Sequence, residues 1–375
     1  MIDTEPLVVE RNIPKIESPK VRKAVRTWLF IGLVMVFVQV VVGGITRLTD
    51  SGLSITEWAV IQGTLPPMNE VEWSEAFELY KVAAKKQYES LHADMTLSEF
   101  KVIFFWEYIH RLWARTMGLV FIIPFLFFVV AKWIPKWLMK DLGIVVGLAA
   151  LAATFGWIMV ASGLNEDNRT WVSAYKLVAH LSIATSVFSY LFWTYLKANQ
   201  PRVKVSQSLG KLRKTAWAVT VLLLIQIIFG GLMAGMKAGL IHPYFPMFVE
   251  GDRLMSALNA GNADLVNYES SASVKAWVQI VHRTTAYLLT GLIVWFFIKL
   301  MKEHLPARLR RANYVMLGLI GVQFLLGVLT VINSFGSIPV GYGVMHQGVA
   351  LLLLISMLYI IFQLKNRSVE KFVEN

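Results

Sequence analysis

Residues 103–131 read IFFWEYIHRLWARTMGLVFIIPFLFFVVA, a stretch that is apolar almost throughout except near His110. An α-helix needs about 20 mainly apolar residues to cross the ~30 Å hydrocarbon core of a bilayer. The stretch therefore predicts a transmembrane helix. A titratable side chain inside such a helix is costly and is, by default, a sign of function, so the same stretch also predicts a site within the membrane.

The rest of the chain repeats this pattern. Of its 375 residues 56% are hydrophobic, and the mean hydropathy of +0.56 is far too high for a soluble domain. The sequence predicts an all-α integral membrane protein with eight transmembrane helices. The predicted spans, numbered one to eight along the chain, cover residues 27–46, 103–131, 142–162, 173–196, 214–236, 275–299, 312–333 and 342–364.

The formal net charge of +12 does not indicate nucleic-acid binding, because the basic residues are concentrated in alternate loops. They lie before span one and between spans two and three, four and five, and six and seven, whereas the other loops are acidic or mixed. Basic loops stay in the cytoplasm, so both termini are predicted to be cytoplasmic. The N-terminus lacks the pattern of a signal peptide, and a bacterial inner membrane is the simplest location.

The two halves of the chain resemble each other. Residues 39–44 (QVVVGG) of span one match residues 226–231 (QIIFGG) of span five, and His110-Arg111 matches His282-Arg283. Because each half has an even number of spans, both halves cross the membrane in the same direction, which predicts two tandem four-helix bundles related by a parallel repeat. The predicted parts are a cytoplasmic tail (1–26), an N-terminal half (27–196), a cytoplasmic linker (197–213), a C-terminal half (214–364) and a second cytoplasmic tail (365–375).

Four histidines occur at one depth, one in each even-numbered span: His110, His180, His282 and His346. At a rise of 1.5 Å per residue, all four rings are expected roughly 10–13 Å below the outer boundary, so that both sites open toward the periplasmic face. Two histidines from different helices of a four-helix unit can ligate a haem iron from both faces. The alternatives are core histidines bonded to a neighbouring helix, a zinc site and a proton relay. The chain has no cysteine, so histidine must carry any metal.

Arginines and one carboxylate flank these histidines. Glu107 lies three residues before His110 on the same helix face, where the other half has Gln279. This difference predicts that the first half carries out chemistry and that the second holds a permanent cofactor; the alternative is that Glu107 merely pairs with Arg111. Three arginines are placed to reach haem propionates through charge-assisted hydrogen bonds: Arg47, Arg111 and Arg283. The side chain of Arg47 could instead extend to the membrane interface.

Two long outer segments connect the spans. In residues 47–101, Asn69 is predicted to cap a helix that lies over the bundle or in the headgroup layer, either as a structural cap or as a substrate gate. The second segment, 237–274, contains HPYFP at 242–246, and its two prolines predict a shaped loop rather than a long helix. One face of the first predicted helix carries Trp73, Phe77, Tyr80, Ala84 and Tyr88.

Two other functions compete with a haem enzyme. A di-haem b-type protein that passes electrons from quinol across the membrane would stack its haems at two depths, whereas all four histidines are predicted in the outer half. A transporter built from parallel repeats would have helices broken at mid-membrane and more carboxylates. Pro124 is the only proline well inside a predicted span.

These motifs resemble the haem A synthase family, and the resemblance covers nearly the whole chain after the N-terminal tail. Residues 43–54 (GGITRLTDSGLS) are similar to that family's first-loop signature, and residues 107–111 (EYIHR) to its second-helix motif. Without a cysteine pair in its outer loops, the chain resembles the cysteine-free branch. Further matches are Trp58, Gly63, Pro66-Pro67, 156–164 (GWIMVASGL), 175–181 (YKLVAHL), 245–247 (FPM), 279–283 (QIVHR) and His346-Gln347.

The resemblance implies an enzyme that oxidises the C8 methyl group of haem O to the formyl group of haem A, by successive hydroxylations and loss of water from a geminal diol. It implies that His110 and His180 bind the substrate haem, and that His282 and His346 bind a resident haem B that passes electrons. Glu107 would transfer a proton or stabilise a cationic intermediate. The implied partners are haem O synthase, cytochrome oxidase assembly factors and the lipid bilayer, and the helix faces allow a homo-oligomer.

Overall fold

The structure is a computed structural model that describes residues 21–57, 64–164, 170–199, 207–247, 249–260 and 270–364. These residues form α-helices and a short 3-10 helix at Ala238–Leu240, with no β-strand among them. The α-helices are α1 (Lys23–Leu48), α2 (Glu70–Ala83), α3 (Lys85–Leu91), α4 (Leu97–Val130), α5 (Lys136–Leu164), α6 (Ala174–Asn199), α7 (Gln207–Gly235), α8 (Gly251–Asn259), α9 (Ala272–Met301), α10 (Ala307–Ile332) and α11 (Val340–Gln363).

Eight helices of the described chain are long and apolar enough to cross a membrane, namely α1, α4, α5, α6, α7, α9, α10 and α11. The prediction of an all-α protein with eight spans is confirmed. Several helices extend beyond the predicted spans, and α4 begins at Leu97 rather than at residue 103. Thr96 and Glu99 form a capping box at this end. Hydropathy identifies the part of a helix that crosses the hydrocarbon, whereas polar caps of this kind determine where the helix starts.

The eight spans form an inner and an outer set of helices. The inner helices α1, α6, α7 and α11 pack against one another in the centre of the molecule. Each outer helix packs on one inner helix: α4 on α1, α5 on α6, α9 on α7 and α10 on α11. The two sequence halves therefore meet through their inner helices, an arrangement that is consistent with the proposed repeat.

Small residues allow the inner helices to approach closely. Gly44 of α1 faces the side-chain amide of Gln347 in α11, which donates a 2.8 Å hydrogen bond to the Val40 carbonyl oxygen. At the end of α7, a Cβ atom on Gly235 would lie 3.0 Å from the Cα atom of Ala174 in α6. Lipid tails are as apolar as side chains, so helices in a bilayer associate through this kind of close packing.

The first long segment caps the side of the bundle that carries both long loops, called the outer side below. Asn69 accepts a hydrogen bond from the Glu72 amide and starts α2, as predicted. The backbone departs from helical geometry at Ala84, with φ −110° and ψ 36°, so the segment forms two helices instead of the one predicted. The aromatic residues of the predicted face still pack in one cluster with α4: Trp73, Phe77, Tyr80 and Tyr88.

The second long segment is a shaped loop, as its prolines predict. Its described residues contain the short 3-10 helix and α8, and no long helix. His242 is fully buried, and its Nε2 atom lies 2.9 Å from the Met247 carbonyl oxygen. Burial lowers the pKa of His242 below its ordinary value.

The close approach of α6 and α7 yields a stability prediction. Gly235→Ala should lower the thermal unfolding temperature in detergent, because its Cβ atom would meet the Ala174 backbone and overpacking costs about 1–3 kcal/mol. Gly318→Ala in α10 is the matched control, since no atom of the described residues lies within 4 Å of the added atom. An equal unfolding temperature for both variants would show that the α6–α7 contact does not limit stability.

Candidate functional site

All four predicted membrane histidines line one cavity of about 530 Å³. His110 and His180 reach it from α4 and α6, and His282 and His346 reach it from α9 and α11. The structure therefore brings together residues that lie far apart in the sequence. The other predicted site residues line the same cavity: Glu107, Arg47, Arg111 and Arg283.

Each of these histidine rings lies against a glycine of the span that precedes its own. Glycine at these positions leaves room for an imidazole ring between two helices, and the contact recurs in all four pairs of successive spans. A Cβ atom on the glycine would lie 3.0 Å from His110 Nε2 at Gly43, 3.1 Å from His180 Cε1 at Gly156, 3.4 Å from His282 Cε1 at Gly230 and 3.0 Å from His346 Cε1 at Gly327.

Backbone carbonyls orient two of the histidines. The Nδ1 atom of His180 lies 2.8 Å from the Ala152 carbonyl oxygen, and that of His346 lies 3.1 Å from the Gln323 carbonyl oxygen. A carbonyl oxygen only accepts, so the proton of the neutral His180 ring belongs on Nδ1. The Nε2 atom then presents a lone pair, which is the usual arrangement of a histidine that ligates a metal.

Glutamines hold the helices of the other two histidines. The amide of Gln39 donates to the His110 carbonyl oxygen at 3.2 Å, and the amide of Gln226 donates to the His282 carbonyl oxygen at 2.9 Å. The same interaction thus links α1 to α4 and α7 to α9. Each glutamine lies four residues before the glycine that faces the same histidine, so one face of the inner helix contacts both the backbone and the ring of the histidine.

The rings of His282 and His346 face each other with a geometry that fits haem. Their centres are 6.5 Å apart, and their planes are inclined at 75°. Two imidazoles that bind one metal from opposite sides, each through a bond of ~2 Å, place their ring centres roughly 6 Å apart. The porphyrin of a haem supplies the remaining nitrogen ligands, so this pair has the spacing of two axial ligands.

Glu107 is buried in a polar network on α4. Its carboxylate accepts hydrogen bonds from Arg111 at 2.7 Å, from the Ser54 hydroxyl at 2.8 Å and from the Ile55 amide at 2.9 Å. Arg111 also donates to the carbonyl oxygens of Ile55 and Glu57. The pairing of Glu107 with Arg111, which the sequence left open as an alternative, is therefore present, and it fastens the first outer loop to α4.

The C-terminal half has a counterpart of this network in which an amide replaces the carboxylate. Gln279 donates to the His242 carbonyl oxygen at 2.9 Å, and Arg283 donates to the Tyr244 carbonyl oxygen at 2.8 Å. Both arginines that follow a histidine thus bind loop carbonyls. The Nη1 atom of Arg283 is buried and has no hydrogen-bond partner among the described residues. A donor of this kind in the cavity wall suits a carboxylate such as a haem propionate.

Asp50 connects the outer ends of the two halves. Its carboxylate accepts hydrogen bonds from Lys237 at 2.8 Å and from the Trp171 indole at 3.1 Å, and it lies 3.6 Å from the Arg47 guanidinium. Arg47 also donates to the Gly235 carbonyl oxygen at the end of α7. Arg47 thus lies in the cavity wall at this junction.

The outer cap places a buried phenol above this junction. The hydroxyl of Tyr80 lies 2.6 Å from Nδ1 of His92 and donates to Gln87 at 3.1 Å, and the Gln87 amide donates to the Asp50 carbonyl oxygen. Burial, followed by the negative charges of Asp50 and Glu107, raises the pKa of Tyr80. Burial lowers the pKa of His92. Both groups are therefore stabilised in their neutral forms above the cavity.

Comparison with known proteins assigns the family. The sequence profile of the cytochrome oxidase assembly proteins, COX15-CtaA, matches residues 26–358. The chain belongs to this family. Two curated relatives are both named haem A synthase. The protein from Flavobacterium psychrophilum is 39% identical over 91% of this chain and 98% of its own length. The protein from a Bradyrhizobium species (strain ORS 278) is 40% identical over 88% of each chain. With these bacterial relatives and eight candidate spans, the chain is a multi-pass membrane protein.

Several residues of the site were not assigned a role from the sequence. The glutamines and glycines of spans one and five were noticed only as a repeat, yet they hold the histidines. A spacing of four residues between glutamine and glycine also occurs at Gln323 and Gly327 of α10, and this signal could have identified them. The contact between Asp50 and Lys237 has no such signal, because it joins residues far apart in the chain.

Proposed function

We propose that this chain is a haem A synthase that oxidises the C8 methyl group of haem O to a formyl group. The observation that carries the proposal is the single cavity lined by four histidines in a member of this family. A site of this kind offers two axial ligands to each of two haems. The curated relatives named haem A synthase match nearly the full length of the chain, which supports the same function.

The resident haem B is assigned to His282 and His346. The 6.5 Å spacing of their rings and the buried, unpaired donor of Arg283 support this assignment. When bound, haem B would supply one-electron redox chemistry for the oxidation. His346 is oriented by the Gln323 carbonyl, and Arg283 would hold a propionate.

The substrate haem is assigned to His110 and His180, beside Glu107. Three donors fix the Glu107 carboxylate in one orientation in the cavity wall, which is what a group acting at one substrate atom requires. Its role is to accept a proton or to stabilise positive charge that develops on the methyl carbon. The C-terminal half has Gln279 at this position and so lacks a group that can do either.

The proposal includes the membrane orientation and the partners predicted from the sequence. The halves 27–196 and 214–364 are assigned as a parallel repeat with both termini in the cytoplasm of a bacterial inner membrane. Both haem sites then lie toward the periplasmic face. Haem O synthase would supply the substrate, and assembly factors of the terminal oxidase would receive haem A. The alternative function, a di-haem protein that transfers electrons across the membrane, is less well supported than a synthase, because all four histidines line one cavity.

The decisive experiment is chromatography of acid-extracted haems from membranes that contain this protein and a supply of haem O. We expect haem A to appear with the wild-type chain and to be lost with His110→Ala, because the substrate iron loses a ligand. Haem O that remains unconsumed, in a protein with a bis-histidine haem spectrum, would contradict the proposal and favour the electron carrier.

Glu107→Gln tests the catalytic role of the carboxylate. The substitution copies the side chain of Gln279 and keeps the shape, so haem B content should be unchanged while formation of haem A falls by about 100-fold or more, the contribution typical of a positioned acid or base. Haem A is measured per mole of haem B. Because the Arg111 pair is lost as well, the unfolding temperature is measured alongside, and full activity would assign Glu107 a structural role only.

Gly327→Ala tests the placement of His346. The added Cβ atom would lie 3.0 Å from the ring and displace it from the axial position, so haem B should dissociate more readily and the low-spin spectrum should weaken. Gly321→Ala on the same helix is the control, since nothing lies within 4 Å of its added atom. His346→Ala provides the reference for complete loss. Equal haem B retention in the two glycine variants would count against the assigned ligand geometry.

A further inference from the structure

The two halves differ in how their outer helices meet. In the C-terminal half α9 and α10 pack against each other, whereas α4 and α5 of the N-terminal half do not form a packed pair. In the most apolar stretch of each helix, 6% of the residues are buried in α4 and in α5, against 22% in α9 and in α10. The N-terminal half is therefore open on the side where the C-terminal half is closed.

Aromatic side chains close the C-terminal half. The ring centres of Tyr287 in α9 and Phe324 in α10 are 5.9 Å apart, and Phe245 of the outer loop lies 6.3 Å from Phe324. All three residues line the cavity near His282 and His346. The contact joins the two outer helices at the level of the histidines and separates that part of the cavity from the lipid.

The corresponding positions of the N-terminal half lack this contact. Phe324 directly follows the residue whose carbonyl binds His346, and Ala153 directly follows the residue whose carbonyl binds His180. By the same comparison, Arg115 takes the place of Tyr287, five residues after the histidine of its helix. An alanine thus replaces the phenylalanine that joins α10 to α9.

Two small residues connect the cavity with the gap. Ala114 on α4 and Ala153 on α5 both line the cavity, and both are exposed. Ala114 lies one turn from His110, and so the gap is at the level of the ligands assigned to the substrate haem. Arg115, beside Ala114, also lines the cavity and gives its wall a positive charge.

We propose that the gap between α4 and α5 is a lateral opening through which the prenylated substrate haem enters from the bilayer and the product haem leaves. The inference rests on the proposed function. Haem O carries a long isoprenoid chain, and moving such a chain through water would expose a large apolar area. A lateral opening lets the chain remain in lipid while the porphyrin moves between the histidines. The C-terminal half has an aromatic contact where this opening lies, and so it would retain its haem.

Because the chain contains no cysteine, two cysteines introduced beside the opening can be cross-linked selectively. A chain with Ala114→Cys and Ala153→Cys would be joined by a bis-maleimide with a cleavable disulfide spacer, in lipid vesicles to which haem O is added either after or before the linking. Linking before haem O is supplied should lower the haem O recovered with the protein by about tenfold or more, and cleavage should restore it. Linking after loading should trap haem O in the protein.

The control pair is Phe297→Cys and Tyr314→Cys, on α9 and α10. Their rings already lie 5.5 Å apart, and neither residue lines the cavity, so this link should not alter haem O uptake.

A second test needs no cross-linker. Ala153→Phe should slow haem O uptake by copying the side chain of the closed half, whereas Ala150→Phe, at an exposed position outside the cavity wall, should not.

The outcomes separate the opening from the proposed function, because haem O binding and haem A formation are measured independently. Uptake by the linked protein at the rate of the unlinked protein would overturn the opening, and so would equal uptake by the two phenylalanine variants. If the unlinked protein binds haem O but never converts it, and the link blocks binding, the synthase assignment fails while the opening stands.

Discussion

A histidine held between helices in a membrane needs both space for its ring and polar partners for its ring or backbone, and the fold depends on how these needs are met. A glycine on the neighbouring span provides the space for each of the four rings. Backbone carbonyls bind the rings of His180 and His346, and glutamine amides bind the backbones of His110 and His282. Leaving these polar groups unpaired in a low-dielectric interior would cost several kcal/mol. The helix pairs that meet these needs are the pairs that surround the cavity.

The same framework carries different side chains in the two halves. Where the N-terminal half has the buried carboxylate of Glu107, the C-terminal half has Gln279; where one has Ala153, the other has Phe324. The first difference gives only one half a group for proton or charge chemistry. The second gives only the other half an aromatic closure. Together they fit one haem that is exchanged and another that is retained, which is the division of labour that the proposed function requires.

Much of this could be predicted from the sequence, because periodicity and hydropathy act along single helices. The eight spans follow from residues within single helices, and the common depth predicted for the histidines rests on the same kind of signal. The pairing of Arg111 with Glu107 was foreseen as an alternative, but the loop partners of Arg111 and Arg283 could not be predicted, since the carbonyls that they bind take their positions from the folded outer loops. The break at Ala84 was also missed, because an alanine carries no helix-ending signal. The role of Asp50 was not predicted either, because its partners come from three different segments of the chain.

A single cavity also restricts which redox function the protein can have. Electron transfer across a bilayer requires cofactors at different depths, whereas His110, His180, His282 and His346 line one continuous space. In the proposed function, the haems held by these two histidine pairs would share this space. Asp50 fixes this arrangement at the outer end, because its carboxylate binds Lys237 of one half and Trp171 of the other. The junction therefore ties together, at the outer end, the two halves that would hold the exchanged and the retained haem in the proposed function.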